Sequence, residues 1–459
     1  MEWKPVFATL CSRAFWRATL PLALPITLQN LLTSSFQIVD TLMVGQLGDA
    51  AIAAVGIAGQ IAFFINILFY GISAGGAVFI AQFWGGRDRR SIRQVYGVMT
   101  MLSIPVAALF ITFCSLRGPQ ILGLFTNEAE LIEIGARYLR IACWSYLGIG
   151  LNQVFAIVLR STEDVRPPLA TGAASVAVNC AANYILIFGK LGLPALGVEG
   201  AAIATAISAT VGPAALLAYS LWRRNMLRAP LREMFSFDGA FFRRYLGRSL
   251  PVLANEALWS MGVLCYNAVF GRMGTDNYAA LTIFRTIENL GFVFFIGVCS
   301  ASAVIVGKLV GEDELEEARR ISGAFMLFVP FLGVAVGLLI LCFSGAILSL
   351  FNIDEAVRRT AQRLLYLYAA EVGIRNIPYV SVCGVFRAGG DTRTGVKLDT
   401  GCVYGLSLPL VAVTGLVLRW PFLLVYAIML LAEDIPKSIL CIRHYVSYKW
   451  IQPVSGKAA

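Results

Sequence analysis

Runs of about 20 or more predominantly apolar residues, parted by short charged connectors, recur along the whole of this 459-residue chain and leave it few folds to adopt. A run of that length fits the hydrocarbon core of a bilayer, and only structures that satisfy their own backbone hydrogen bonds can sit there. The runs predict spans at 16–40, 52–82, 94–116, 133–159, 168–188, 197–221, 249–270, 279–309, 322–349, 361–386, 396–418 and 421–442. Twelve is an even number, so both termini lie on one side. Composition agrees: 58% of residues are apolar and only 14% are charged, against about 25% charged in a soluble domain. That excludes a soluble enzyme, a disordered chain and a nucleic-acid-binding module. The expected class is an all-α polytopic membrane protein.

The net charge of +10 is then a statement about topology. With the N-terminus inside, Lys4, Arg13, Arg17, Arg87, Arg89, Arg90, Arg93, Arg160, Arg166, the arginines of 223–248, Lys308, Arg319, Arg320, Arg387, Arg393, Lys397, Lys437 and Arg443 fall on one face. The other face keeps fewer, among them Arg117, Arg137, Arg140, Arg272, Arg358, Arg359 and Arg363. The asymmetry predicts cytoplasmic termini in a plasma membrane. The three outer arginines before the tenth span predict an interfacial amphipathic start over 350–363. No cleavable signal peptide is expected, because the first apolar run is too long and lacks an early small-residue cleavage site.

The single histidine, His444, lies near the C-terminus, which removes histidine-ligated metals, a Ser-His-Asp triad and a histidine relay inside the bilayer. The ten cysteines (Cys11, Cys114, Cys143, Cys180, Cys265, Cys299, Cys342, Cys383, Cys402 and Cys441) are scattered singly. They read as small buried hydrophobes, with no zinc or disulfide pattern.

The chain also repeats itself at an offset of 226 residues. Pro25 matches Pro251, Ser34 matches Ser260, Gly45 matches Gly271, Gly71 matches Gly297 and Gly85 matches Gly311. After one residue of slip, Arg160, Asp164 and Arg166 match Arg387, Asp391 and Arg393. Six spans per copy make the copies parallel repeats, an architecture of secondary transporters. The expected organisation is an N-terminal lobe over 1–221, a basic cytoplasmic connection over 222–248, a C-terminal lobe over 249–444 and a cytoplasmic tail over 445–459.

Charges inside a span cost roughly 2.5–3.5 kcal/mol each on the mildest scale, so those present need a purpose. In the first span Asn30, Thr33, Ser34, Gln37 and Asp40 share one helical face, with Gln29 beside them and Pro21 and Pro25 expected to interrupt the helix below. Pro251 is expected to break the seventh span at the matched position. In the fifth span Ser175, Asn179 and Asn183 are one turn apart; their oxygens can hold sodium or hydrogen-bond Asp40, but an amide cannot relay a proton. The seventh span carries Glu256, Trp259, Ser260, Tyr266 and Asn267. Arg285 and Glu288 are three apart, and Glu371 and Arg375 four apart, which predicts two intrahelical ion pairs. On that pairing Glu256 has no local partner, and Asp399 in the eleventh span is a further lone carboxylate. Asp40, Asn179, Asn183 and Glu256 are the candidate ion-coupling residues. Gln29, Asn30, Gln37, Trp259, Tyr266 and Asn267 are the candidate substrate-cleft residues.

These residues fall in segments that resemble the multidrug and toxin extrusion (MATE) family of cation-coupled exporters. The carriers are LPLALPITLQNLLTSSFQIVDTLMVGQLGDAAIAAVG, LRSTEDVRPP, NYILIFGKLGLPALGVEGAAIAT and GVFRAGGDTRTG. The resemblance implies two six-helix lobes in a V-shaped fold and export of amphipathic, mostly cationic organic compounds, driven by inward proton or sodium flow. Many members carry an Asp one turn after the fifth-span Asn; here that place is Asn183. No cofactor beyond the coupling ion, no nucleic acid and a monomer are expected. A flippase of lipid-linked sugars in the same superfamily is the alternative, set against central polar residues that are neutral or acidic. A membrane-embedded transferase is disfavoured by the lack of histidines and of paired aspartates at a membrane mouth.

Overall fold

The computed structural model describes residues 3–349 and 354–454, apart from the side chains of Trp3, Ile38 and Asp49. The described residues are almost entirely helical. After a short α1 (Trp3–Cys11) come α2 (Arg13–Gly45), α3 (Asp49–Gly85), α4 (Arg89–Leu122), α5 (Ala129–Ala142), α6 (Ser145–Ser161), α7 (Arg166–Phe188) and α8 (Gly197–Arg223). A single turn, α9 (Leu231–Met234), leads to α10 (Gly239–Gly271), α11 (Thr275–Gly311), α12 (Leu315–Ser349) and α13 (Glu355–Tyr379). The last third is less regular: π-helical turns over Val380–Phe386, Thr400–Ser407 and Val413–Val417 separate α14 (Arg387–Gly389), α15 (Thr394–Asp399) and α16 (Leu408–Ala412), and α17 (Phe422–Val446) closes the fold.

Eight of these helices are long and apolar enough to cross a membrane, and α5 with α6 forms a ninth span bent by 49°. The rest of the twelve are α10, α13, continued by its π turn, and α17, whose interiors hold Glu256, Glu371, Arg375, Glu433 and Asp434. The expected twelve-span, all-α class stands. One detail differs: α2 and α10 run through Pro25 and Pro251 without stopping. A proline removes only one N–H from the ladder, and a long helix fixed by packing on both sides absorbs that loss. The expected amphipathic start of the tenth span begins at Glu355, which accepts from Arg359 Nε at 3.2 Å; residues 350–353 lie outside the described residues. Among the described residues the ten cysteines are free thiols.

The chain divides into two compact units: Pro25–Ile80 with Arg87–Ser249, and Met1–Leu24 with Ala81–Gly86 and Leu250–Ala459. In the first, the N-terminal unit, Ile65, Phe69, Cys114, Leu139 and Tyr146 centre an apolar core drawn from α3 to α6. In the second, the C-terminal unit, Val306, Met326, Phe386, Tyr445 and Trp450 do the same.

The repeat explains why six residues of α3 belong to the C-terminal unit. Gly85 and Gly311, matched by the offset, each end a helix, and each faces the other helix's backbone. A Cβ on Gly85 would strike the carbonyl of Lys308, and one on Gly311 the carbonyl of Gln82. Only glycine allows this approach. Gln82, fully buried, then donates from Nε2 to the Ala388 carbonyl at 2.7 Å and accepts from Val454 N at 2.8 Å, pinning the tail.

Candidate functional site

In the N-terminal unit the structure joins the residues that the first and fifth spans singled out. Asn183, completely buried on α7, donates from Nδ2 to Asp40 Oδ1 at 2.6 Å and to Asn179 Oδ1 at 2.7 Å. Asn179 in turn donates to Ser208 Oγ on α8 at 2.8 Å. Residues four apart on α7 stack on one face, so the two amides form a ladder that can lead only to the next polar group, Asp40. The ladder is not closed. Asn183 Oδ1 is buried, and no described donor reaches it. A buried acceptor without a donor calls for a water or an ion; beside a carboxylate the oxygen set fits a proton or a hard monovalent cation.

The other candidates of α2 are used differently. Gln29 accepts from Arg160 Nη2 at 2.6 Å, so that arginine, at the end of α6, serves this unit's interior as well as the charge asymmetry of the connectors. Asn30 bonds the Ile26 carbonyl of its own helix at 2.8 Å and does not join the ladder. Gln37 is exposed.

The C-terminal unit corrects the expected charge pairing. Glu256 is not alone: Arg387 Nη2 donates to it at 2.8 Å, and that arginine is 4% exposed. The two intrahelical pairs do not form. Arg375 reaches across from α13 to Glu288 on α11, at 3.0 Å, while Arg285 donates to Asn267 Oδ1. Glu371 has no ion pair, and both its oxygens are buried without a described donor. Asp399 bonds Lys437 of α17 and Asn255 of α10. Spacing along one helix permits a pair but cannot compete with a neighbouring helix that offers a better-desolvated partner.

Three residues of α17 were missed as a site: Glu433, Asp434 and Lys437. Tyr266 donates to Glu433 Oε2 at 3.0 Å. With Trp259, Arg285, Arg375 and Met429, these two line a small cavity of about 60 Å³. The signal was present as charges inside the apolar run IMLLAEDIPKSILC, but their nearness to the span's inner end assigned Lys437 to orientation.

Beside α14 and α15 of the same unit, His444 Nε2 lies 2.8 Å from Asp391 Oδ2, and Asp391 also accepts from Thr394 Oγ1 at 2.6 Å and Thr394 N at 3.1 Å. Burial would raise the Asp391 carboxyl, but the bonds from His444 and Thr394 outweigh it and hold the group below its ordinary range. A carboxyl lowered on folding stabilises the fold above its unfolded value, and that contribution is lost as pH falls through the lowered one. Asp391→Asn should therefore destabilise by about 1–3 kcal/mol near neutral pH, with the gap to wild type closing in acid. Thermal unfolding at a series of pH values checks this; a gap that widens in acid contradicts it.

A family model described as MatE matches residues 25–185 and 251–413, two segments that begin 226 residues apart like the sequence repeat itself. "Probable multidrug resistance protein NorM" of Thermotoga maritima is 25% identical over 440 residues, covering 94% of this chain and 92% of that protein. The protein of the same name from Mesorhizobium japonicum is 28% identical over 415 residues, 86% of each. Among solved structures, an aspartate-to-asparagine mutant of the Vibrio cholerae MATE transporter VcmN superposes with a TM-score of 0.86 at 18% identity, over 98% of this chain and 99% of that one. A MATE in the straight conformation gives 0.85 at 20% identity, over 95% and 98%.

Proposed function

The chain belongs to the MatE family, and from that premise we propose that it exports amphipathic, mostly cationic organic compounds in exchange for inward-moving protons or sodium ions, the two lobes alternating access. It is a multi-span membrane transporter and not an enzyme. The relatives' names as multidrug resistance proteins support the substrate class.

The observation that carries the reading is the open ladder Ser208–Asn179–Asn183–Asp40. An exchanger needs one negative group that substrate and ion neutralise in turn, and burial penalises that group whenever it stands uncompensated. Asp40 is the only acid in the ladder. Asn183 holds one of its oxygens and offers its own free Oδ1 as a second ligand atom. Neither amide can pass a proton on, so the exchange event stays at Asp40. Glu256, held by Arg387, is a secondary ion-coupling candidate, since its charge is already compensated. Trp259 and Tyr266 supply aromatic faces that attract an organic cation.

Efflux of a cationic dye from proteoliposomes, with proton and sodium gradients imposed separately, tests the proposal. One of the gradients should drive export; equal rates with and without both would refute coupling.

The orientation follows from the loop charges. Both termini and the 222–248 connection are cytoplasmic in this reading, so Ser236→Cys in a cysteine-free background should resist an impermeant thiol reagent added outside intact cells. Ready labelling would reverse the topology.

A further inference from the structure

In the N-terminal unit α4 runs for 34 residues, roughly 50 Å. It starts where Arg93 pairs with Glu233 of the 222–248 connection, and its far end meets α5. At that far end it leaves helical geometry at Arg117, with φ and ψ of −125° and 21°, two residues before Pro119. A cavity of about 500 Å³ lies at the break, walled by Cys114 and Pro119 of α4 and by Ile132 and Ala136 of α5. Its lining is apolar apart from Ser115 and three charged side chains, Glu133, Arg137 and Arg140.

Spacing on α5 makes the three charges a column. They are four and three residues apart and share one face, with a rise of about 6 Å to the second and about 4.5 Å more to the third. The neighbours fix the depth. A Cβ on Gly118 would lie 3.8 Å from Ala136 Cβ, and Ser115 Oγ lies 3.4 Å from Cys143 Sγ. The two arginines are therefore level with residues 115–118, where the apolar run 94–116 ends, and Glu133 stands one turn further out. Glu128 and Glu130, exposed at the start of α5, extend the acidic side of the column. Glu133 and Arg137 have the spacing of an ion pair, yet among the described residues none of the three charged side chains of the column forms one.

A cationic floor under an acidic mouth, at the edge of the hydrocarbon, matches the head of one kind of lipid. In a phospholipid with an ethanolamine head the phosphate lies next to the chains, and a primary ammonium follows two carbons further out. Two arginines suit phosphate oxygens, and a carboxylate suits an ammonium that offers three N–H donors. The apolar walls suit the first carbons of the chains. A glycerol head would bring no positive charge to Glu133, and its net negative charge would meet Glu128 and Glu130. A choline head has the charge but no N–H to give. Arginines at this end also do nothing for orientation, since the loop asymmetry favours the opposite one.

We propose that the cavity between α4 and α5 binds a phosphatidylethanolamine-type lipid, with Arg137 and Arg140 on the phosphate and Glu133 on the ammonium. A lipid held there joins α4 to α5, the outer arm of the span that bends by 49° before α6, and so braces the bend. The proposal goes beyond the exchange at Asp40 and does not depend on it.

Native mass spectrometry of the purified, delipidated protein tests it, after equilibration in detergent with equal amounts of phosphatidylethanolamine, phosphatidylcholine and phosphatidylglycerol of one chain composition. Wild type should retain phosphatidylethanolamine about fivefold over either competitor, the worth of one half-exposed ion pair. Glu133→Gln should bring phosphatidylethanolamine and phosphatidylcholine to parity. Arg137→Gln combined with Arg140→Gln should lower retention of all three lipids. Thermal unfolding of the lipid-free proteins shows which variants fold; if the double variant does not, Glu133→Gln alone decides. Equal retention of the three lipids by wild type would overturn the site, as would a preference for phosphatidylglycerol. A phosphatidylethanolamine preference that survives Glu133→Gln would do the same.

Discussion

Asp40→Asn should fold, bind substrate and yet reduce gradient-driven efflux to the level of empty liposomes. The substitution is close to isosteric, and its amide oxygen can still accept from Asn183 Nδ2, so stability should stay within about 1–2 kcal/mol of wild type. What disappears is the only group in the ladder that can exist in two charge states. The ladder itself, from Ser208 through both asparagines, needs no charge on Asp40 to persist. Transport and thermal unfolding measured on the same preparation separate the two effects. Wild-type efflux in the mutant would remove Asp40 from the mechanism.

Arg375→Ala should be among the most destabilising single substitutions in the C-terminal unit. It strands Glu288, whose side chain is 14% exposed, beside the other acids of α13 and α17. Removing one member of a buried pair costs about 3–5 kcal/mol, because the survivor keeps its desolvation penalty and loses its partner. Arg285→Ala should cost less, about 1–2 kcal/mol, since it leaves only the neutral Asn267 without its donor. Exchanging the charges, Glu288→Arg with Arg375→Glu, should recover part of the loss; doing so with Arg285 and Glu288 should not. Equal penalties at Arg285 and Arg375, in thermal unfolding, would favour the intrahelical pairing instead.

That comparison marks the limit of what the chain reveals on its own. The spans, the duplication and the juxtaposition of Asp40 with Asn179 and Asn183 are legible because each rests on a local quantity: run length, a constant offset, or residues four apart on one face. Helical periodicity also put Glu371 and Arg375 on one face correctly. Which partner each of them takes is decided by α11 and α17, brought alongside by packing that no spacing encodes. Glu256 was misjudged for the same reason: its partner, Arg387, is 131 residues away and sits at the end of a π-helical turn that carries it inward. Gln29 and Arg160 repeat the pattern in the N-terminal unit at the same separation. The α17 acids were hidden by their place near a span's end, where a charge is cheap to explain by hydration. The prolines misled in the opposite direction, since α2 and α10 continue through Pro25 and Pro251.

The central claim is that substrate and coupling ion compete for the charge of Asp40. Binding of a cationic dye to the purified transporter, measured by its fluorescence anisotropy across a pH series at fixed sodium and again across a sodium series at fixed pH, tests that directly. Affinity should fall as protons or sodium ions accumulate, and in Asp40→Asn the dye should bind with an affinity that neither ion alters. A wild-type affinity indifferent to both ions, or a mutant that keeps the full wild-type dependence, would contradict it.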